Sequence, residues 1–261
     1  MIDPGRRDNR WLLVSDIDDT LTGDDAALEK LGTALERYRD RLWFAVNSSR
    51  PSESVAETLR DMFPRKLVPD ACITAMGTEV SIDGVFQTDW QMRFDGWPHA
   101  QIFETLKSLG HEPHDPIYQT PLKVSFAVSG QAAQAEARNA LADAELDCQI
   151  ITSGTDDFDI LPPGAGKGHA TKYLAKRLGA DMAHVIAAGD SGNDVALLMA
   201  AAHRIVVGNA RPELLTALPP GQFYHAKQAH AAGVLEGLEH FDILPPHNDN
   251  MKHQTTEFEG K

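Results

Sequence analysis

Cysteine is nearly absent: Cys72 and Cys148 are the two in 261 residues, too few for the disulfide framework that staples small secreted domains. Each lies in an apolar run, so both are expected as buried, reduced thiols. No run of about 18 apolar residues exists, which excludes a membrane-spanning helix. The opening residues, Met1 to Asn9, lack the apolar core of a secretory signal, and a cytoplasmic protein is expected. Basic charge is also short, with 24 Lys and Arg against 38 Asp and Glu and a formal net charge of −14. Nucleic-acid binding leaves a basic footprint, and none is present. The segment 245–261, from Pro245-Pro246 onward, has no apolar period and is expected to be disordered.

What the chain does have is 42% hydrophobic content, ample for a buried core and dealt out in short blocks. Trp11–Ser15, Leu42–Val46, Ala71–Ala75, His184–Ala188 and Arg204–Val207 are near-continuous apolar runs of strand length, as in parallel strands covered on both faces. Between them apolar residues recur at three- and four-residue spacing: Ala27, Leu28, Leu31, Leu35 and Tyr38; Val55, Leu59 and Met62; Val195, Leu198 and Met199. Alternating strands and helices predict βαβ units and an α/β fold with a doubly wound, Rossmann-like parallel sheet.

The middle third differs. Ser81–Phe86 carries an Asp83-Gly84 hairpin signal, and a helix is predicted around Ile102–Leu109. Leu122, Val124, Phe126 and Val128 alternate with Lys123, Ser125, Ala127 and Ser129, as in a half-buried strand. An alanine-rich helix over Gln131–Glu145 and strands at Cys148–Thr152 and Phe158–Leu161 follow. This predicts a smaller α+β domain, an antiparallel sheet with two helices. It is inserted at about 88–161, between core segments 10–87 and 162–244.

The motif with most chemistry in it is Ser15-Asp16-Ile17-Asp18-Asp19-Thr20, directly after the first apolar run. Ligands of open α/β sheets sit outside the carboxyl ends of strands. Two carboxylates two residues apart can divide a covalent phosphoryl transfer, one attacking and the other managing the proton. Asn47-Ser48-Ser49-Arg50 follows the second apolar run, so the Ser48 hydroxyl can reach the same edge and hold a phosphate oxygen. Arg50 either contacts substrate or pairs with a surface acid. Lys167 can neutralise charge developing on a phosphoryl group. Gly164–Thr171 is not a P-loop, because Gly168 rather than Ser or Thr follows Lys167. In Gly189-Asp190-Ser191-Gly192-Asn193-Asp194, Asp and Ser also suit a helix N-terminus. Asp16, Asp190 and Asp194 cannot all be ionised around a phosphate dianion without a cation, and Mg2+ suits hard oxygen ligands. His111 with His114, and His225 with His230, form no complete ligand set. Glu79, Lys123, Ser125, Asp157 and Asp159, polar residues near predicted strand ends and loops, are the candidates for binding the rest of the substrate.

These motifs, in this order, resemble the haloacid dehalogenase superfamily of phosphohydrolases. Ala75–Glu79, Pro121–Ser125, Asp159–Pro162, Gly208–Leu214 and His240–Leu244 are further similar to the sucrose-phosphate phosphatase family. The chain departs from the commoner Thr-Gly-Arg pattern at Ser48-Ser49-Arg50. The resemblance implies a core with an inserted α/β cap and an aspartyl-phosphate on Asp16. It implies that Asp18 serves as general acid and base, a role that crowding by neighbouring carboxylates would favour. Mg2+ would take Asp16, Asp190 and the backbone carbonyl of Asp18, Asp194 would orient Lys167 or a metal-bound water, and Asn193 would donate to phosphate or substrate. The implied substrate is a small-molecule sugar phosphate, sucrose 6-phosphate, with a functional link to a sucrose-phosphate synthase. Mannosylfructose phosphate and glucosylglycerol phosphate are alternatives. A sugar phosphomutase would carry a helical cap between Asp16 and Ser48, where no room for one exists. A non-catalytic module would have lost carboxylates that are present here.

Overall fold

The structure is a computed structural model, and it describes residues 10–245; most of the polar tail and the first nine residues lie outside the described residues. The chain begins with β1 (Trp11–Ser15), α1 (Asp25–Arg37), β2 (Leu42–Asn47), α2 (Ser52–Asp61) and β3 (Ala71–Thr74). A hairpin, β4 (Glu79–Ile82) and β5 (Val85–Phe86), and a short helix, α3 (Thr88–Gln91), follow. The middle segment holds α4 (His99–Ser108), β6 (Glu112–Pro113), β7 (Val124–Ala127), α5 (Gln131–Asp143), β8 (Gln149–Ser153) and β9 (Asp157–Leu161). The last segment runs α6 (Lys167–Leu178), β10 (Val185–Gly189), α7 (Val195–Ala200), β11 (His203–Val206), α8 (Pro212–Ala217), β12 (Tyr224–His225) and α9 (His230–His240).

Two sheets result, an eight-stranded one in the order β12-β11-β10-β1-β2-β3-β4-β5 and a four-stranded one in the order β6-β7-β9-β8. β12 through β3 are parallel, and the β4–β5 hairpin adds two antiparallel strands at one edge. Asp83 and Gly84 have φ of 49° and 74°, the left-handed pair that a two-residue hairpin demands. The second sheet is antiparallel throughout, so the α/β class with a separate smaller sheet is as the sequence predicts.

Period-2 burial splits the parallel strands between two apolar layers. Leu12 and Val14 pack with α6 and α7 residues such as Leu174 and Leu197. Leu13, Phe44 and Val46 pack with Leu28, Leu31, Val234 and Leu238 from α1 and α9. A third cluster, built on Phe126, Phe158, Ile102 and Leu141, lies in the inserted layer. Trp90 and Phe94 belong to the first of these clusters, so the chain stays with the parallel sheet until α4 begins.

Several local expectations need correction. Met62 and Met199 are 49% and 43% exposed; Leu197, not Met199, takes the inward position beside Leu198. β3 ends at Thr74, and Ala75 opens a turn in which Ala75, Met76 and Gly77 all have positive φ. Cys72 and Cys148 are free thiols, but only half-buried. β7 is not half-solvated: Lys123 and Ser125 are 3% and 2% exposed. Their face looks onto the cleft between the two layers rather than onto solvent.

The left-handed turn after β3 braces the carboxyl edge of the sheet. Ala75 N–H donates to Arg50 O at 2.7 Å and Met76 N–H to Ser48 O at 3.1 Å. A Cβ added to Gly77 would stand 2.6 Å from Gly166 O and 2.7 Å from Lys167 N, at a φ of +90°. Gly77→Ala is therefore expected to lower unfolding free energy by about 2–4 kcal/mol in denaturant titration.

Candidate active site

Sheet topology puts the site where it is. From β1 the chain steps one way through β2 and β3, and later the other way through β10, β11 and β12. The switch point lies at β1, and the crevice outside its carboxyl end is where a doubly wound sheet binds ligands. In register, Ser15 lies beside Ala188 and Val46. The residues just beyond, Asp16, Asp190 and Ser48, therefore emerge together although they are far apart in sequence. Asp16 N–H donates to Ala188 O at 3.0 Å, which fixes the first turn beyond the strand.

Lys167, the first residue of α6, is fully buried with its Nζ at the centre of this edge. It donates to Asp16 Oδ1 at 2.6 Å, Asp194 Oδ1 at 2.6 Å and Asn193 Oδ1 at 2.7 Å. All three ammonium donors are thus satisfied. Asp194 Oδ2 accepts from Asp190 N–H at 3.0 Å and Ser191 N–H at 3.3 Å, closing a capping box with Ser191. Thr20 Oγ donates to Asp190 Oδ1 at 3.0 Å. Asn47, fully buried at the end of β2, donates through Nδ2 to Lys167 O at 3.2 Å and so anchors the start of α6.

Oxygens of Asp16, Asp190 and Asp194 all lie within 4.8 Å of one another, and all three residues are buried. Burial and repulsion from Asp194 raise Asp16 well above the ordinary carboxylate range, against the opposing pull of Lys167. Burial, then Asp194, push Asp190 up to about 6, against its hydrogen bond from Thr20. Burial disfavours the charge on Lys167, but Asp16 and Asp194 outweigh it and hold the ammonium above the usual lysine value. Three carboxylates meet one ammonium, and a divalent cation on oxygen donors supplies the charge this cluster lacks. The donor set therefore fits Mg2+.

Asp18 faces elsewhere. Its side chain is 54% exposed and bound by Arg50 Nε at 2.9 Å, so the carboxylate crowding expected around it is replaced by a guanidinium. Arg50 pairs with an acid of the site itself and is held from behind by Thr58 Oγ at 2.9 Å and Ser54 Oγ at 3.3 Å. Ser48 is fully buried, and its Oγ accepts from Arg50 N–H at 3.1 Å.

The second wall comes from the inserted layer. Ser49 and Asn193 share a cleft of about 350 Å³ with His114, Asp115, Tyr118, Lys123, Ser125, Ser153, Asp157 and Asp159. That is within the span of small-molecule sites, and its lining is polar rather than apolar. Lys123 Nζ crosses from β7 to Ser49 O at 3.1 Å and to Asp159 Oδ1 at 3.2 Å. Ser125 Oγ donates to the same Asp159 oxygen at 2.6 Å. Four of the five substrate candidates thus line one cavity: Ser125 and Asp159 are buried on β7 and β9, Lys123 is buried just before β7, and Asp157 is half-exposed at the start of β9. Glu79 does not join them. Its Oε2 accepts from Thr74 Oγ at 2.7 Å and from Ser52 N–H at 3.1 Å, so it caps α2, whose own N-cap, Pro51, has no side-chain donor or acceptor.

Sequence reasoning missed Thr20 as a partner of Asp190, Asn47 as the anchor of α6, and His114, Asp115, Tyr118 and Ser153 in the cleft. His114 follows β6, a two-residue strand whose Pro113 is opposite Phe126; so short a strand leaves no periodicity. Neither histidine pair makes a metal centre, since the aspartate triad is the one such group among the described residues.

A parallel core, an inserted antiparallel layer and a Lys-centred carboxylate cluster are the architecture of the haloacid dehalogenase superfamily. A haloacid dehalogenase-like hydrolase from Bacillus subtilis has the same fold, with a TM-score of 0.64 and 17% identity over 89% of this chain and 92% of that one. A family model described as sucrose-6F-phosphate phosphohydrolase matches residues 9–242, and the chain belongs to that family. The sucrose-phosphatase of Synechocystis sp. PCC6803, solved with sucrose and phosphate, is similar with a TM-score of 0.82 and 29% identity, over 90% of this chain and 98% of that one. Sucrose-phosphatase 1 of Nicotiana tabacum is 32% identical over 257 residues, 90% of this chain and 60% of its own. Mannosylfructose-phosphate phosphatase of Agrobacterium fabrum is 30% identical over 255 residues, 90% of this chain and 98% of its own. The chain thus spans about 60% of the length of the plant relative.

The charge imbalance has a measurable consequence. A carboxyl whose folded pKa stands above the ordinary 3.8 costs no stability below that value and its full cost once pH passes about 6. At pH 8 without divalent cations, Asp190→Asn is expected to stabilise the fold by on the order of 2 kcal/mol in thermal or denaturant unfolding. At pH 4 the gain should vanish, and a rise in Tm with Mg2+, expected of the parent, should be lost in the variant.

Proposed function

We propose that the chain is a Mg2+-dependent phosphatase that hydrolyses sucrose 6-phosphate to sucrose and inorganic phosphate through an aspartyl-phosphate on Asp16. The observation that carries this reading is the 2.6 Å contact between Lys167 and Asp16 at the sheet's switch point, inside a triad of buried carboxylates. Asp16 and Asp190 side chains, with the Asp18 carbonyl, would hold the cation, while Asp194 orients Lys167. When bound, the cation neutralises charge gathered between the phosphate and the carboxylates.

In the first half-reaction an Asp16 oxygen attacks phosphorus, the ester P–O bond breaks, and the sugar oxygen leaves with a proton from Asp18. In the second, water attacks phosphorus, Asp18 takes its proton, and the acyl-phosphate bond breaks to free phosphate and Asp16. Asp18 must leave Arg50 to reach the sugar oxygen. Ser48 Oγ and the neighbouring N–H groups hold phosphate oxygens, and Lys167 offsets the charge of the transferring group. Lys123, Ser125, Asp157 and Asp159 receive the sugar, and Asn193, whose Oδ1 is taken by Lys167, offers its amide N–H to phosphate or substrate.

The two-walled polar cleft supports a polyhydroxylated leaving group. The Synechocystis protein's complex with sucrose and phosphate favours sucrose 6-phosphate. The Agrobacterium relative keeps mannosylfructose phosphate as a second reading. A cytoplasmic location and supply of substrate by a sucrose-phosphate synthase belong to the same proposal. Among the described residues no helix is long and apolar enough to cross a membrane.

Asp16→Asn is expected to cut phosphate release by about 10³-fold or more while its circular dichroism shows the parent's fold. Retained turnover would rule out the covalent route. On a panel of purified esters, sucrose 6-phosphate is expected to lead mannosylfructose phosphate and glucosylglycerol phosphate by about tenfold or more in kcat/KM. A smaller lead rejects the specific substrate.

A further inference from the structure

The loop after β11, residues 208–211, touches both strand ends that carry the site's aspartates. Arg211 N–H donates to Asp190 O at 2.8 Å. Asn209 Nδ2 donates to Asp19 O at 2.7 Å, and His230 Nδ1 donates to that same carbonyl at 2.9 Å. Asn209 Oδ1 accepts from His230 N–H at 2.9 Å, which closes a ring of three bonds. The segments meet closely. Gly208 N–H donates to Gln228 O at 2.8 Å, and a Cβ added to Gly208 would stand 2.7 Å from Lys227 O. The His230 ring abuts Gly23, where an added Cβ would stand 2.5 Å from Cε1.

This clamp holds backbone that would otherwise relax. Asp19 has a φ of 59° and His230 a φ of 51°, the left-handed region that residues with a Cβ keep only under constraint. Inside the turn, Ile17 O accepts from Leu21 N–H at 2.9 Å and Thr22 N–H at 3.0 Å, whereas Asp19 O is held from the two other loops. The Asp19 side chain is 59% exposed, its Oδ2 3.8 Å from Arg211 Nη2. The φ of Asp19 sets the plane of the Asp18–Asp19 peptide. Return of Asp19 to negative φ would therefore turn the Asp18 carbonyl relative to Thr20 and its partner Asp190.

We propose that Asn209 and His230 are positioning residues, which fix the Asp18–Asp19 turn through the Asp19 carbonyl and so aim the Asp18 carbonyl at the cation shared with Asp16 and Asp190. The inference rests on the phosphatase reading above and extends it to two residues outside the carboxylate cluster. As a helix cap alone, Asn209 would serve α9, whose N-cap, Ala229, has no side-chain bond of its own. Aspartate at 209 keeps that acceptor and removes the donor to Asp19 O, so the two roles separate.

The test compares the parent with Asn209→Asp, His230→Ala and His230→Asn. It reads the Mg2+ dependence of turnover on sucrose 6-phosphate and p-nitrophenyl phosphate, and Tm with and without Mg2+ in the absence of substrate. The bonds to Asp19 O lie at the surface, so the variants should fold, with a Mg2+-free Tm near the parent's. In Asn209→Asp and His230→Ala the half-saturating Mg2+ concentration is expected to rise about 10- to 100-fold. The factor should be the same for both esters, with KM for either little changed at saturating Mg2+. Mg2+ alone should raise Tm less in these two variants than in the parent. The charge added in Asn209→Asp would by itself tighten cation binding, so weaker binding marks the lost donor. Asparagine at 230 keeps a donor on Cγ and tolerates positive φ, and it should recover most of the loss. A parent-like Mg2+ response in Asn209→Asp, by either measure, overturns the inference. So does a loss in His230→Ala that His230→Asn fails to recover. Collapse of the fold in Asn209→Asp marks a structural role and overturns it as well, while Asn209→Asp decides alone if His230→Ala does not fold. A parent that releases phosphate from neither ester overturns the phosphatase reading itself, a result seen without any variant.

Discussion

The ammonium of Lys167, fully buried and shared between Asp16 and Asp194 at 2.6 Å, is the interaction on which the rest of the structure depends. An unpaired buried charge costs several kcal/mol, so each partner holds the others in place. The backbone around it is built accordingly. Asn47 fixes the carbonyl of Lys167, Gly77 admits the loop before it at a distance no side chain allows, and Ser191 completes the capping box that turns Asp194 inward. What the ammonium cannot do is balance three carboxylates. Burial first, and then repulsion among the three carboxylates, raise Asp16 and Asp190. A protein of formal charge −14 cannot attract a phosphate ester at long range, so attraction has to be assembled locally, in the few ångströms around the sheet's switch point.

The two walls of the cleft divide the work. The parallel sheet supplies reactive groups at strand ends, where backbone geometry places them. The inserted layer supplies a polar face on which Lys123, Ser125 and Asp159 are buried against the cleft. Lys123 joins the two, reaching Ser49 O on the parallel-sheet side and Asp159 beside it. Separation of the layers would leave that ammonium with fewer partners.

Legibility followed the range of the signal. Asp16, Ser48, Lys167 and Asp190 could be read because each stands beside a recognisable apolar strand or in a compact Gly-rich motif, and the order of those motifs carries the topology. The contact between Asp16 and Lys167 spans 151 positions; the α/β pattern, not the two residues themselves, makes it foreseeable. The alternation of Leu122 to Ser129 marks a strand correctly, but whether its polar face meets water or a second layer is decided by tertiary packing. Glu79 shows the same limit. A carboxylate at a strand end looks alike in sequence whether it faces a ligand or caps a neighbouring helix, and here it binds Ser52 N–H. Asp18 was read among acids, and its partner, Arg50, comes from the next strand's loop. His114 follows a strand too short for any period.

The central claim is that Asp16 carries the phosphoryl group between the two half-reactions. Reaction with sucrose 6-phosphate and Mg2+, quenched before the first turnover completes and reduced with borohydride, converts an aspartyl-phosphate to homoserine. Peptide mass spectrometry should find homoserine at position 16 and at no other carboxylate. Unmodified Asp16 in a sample that had released phosphate throughout would contradict the account.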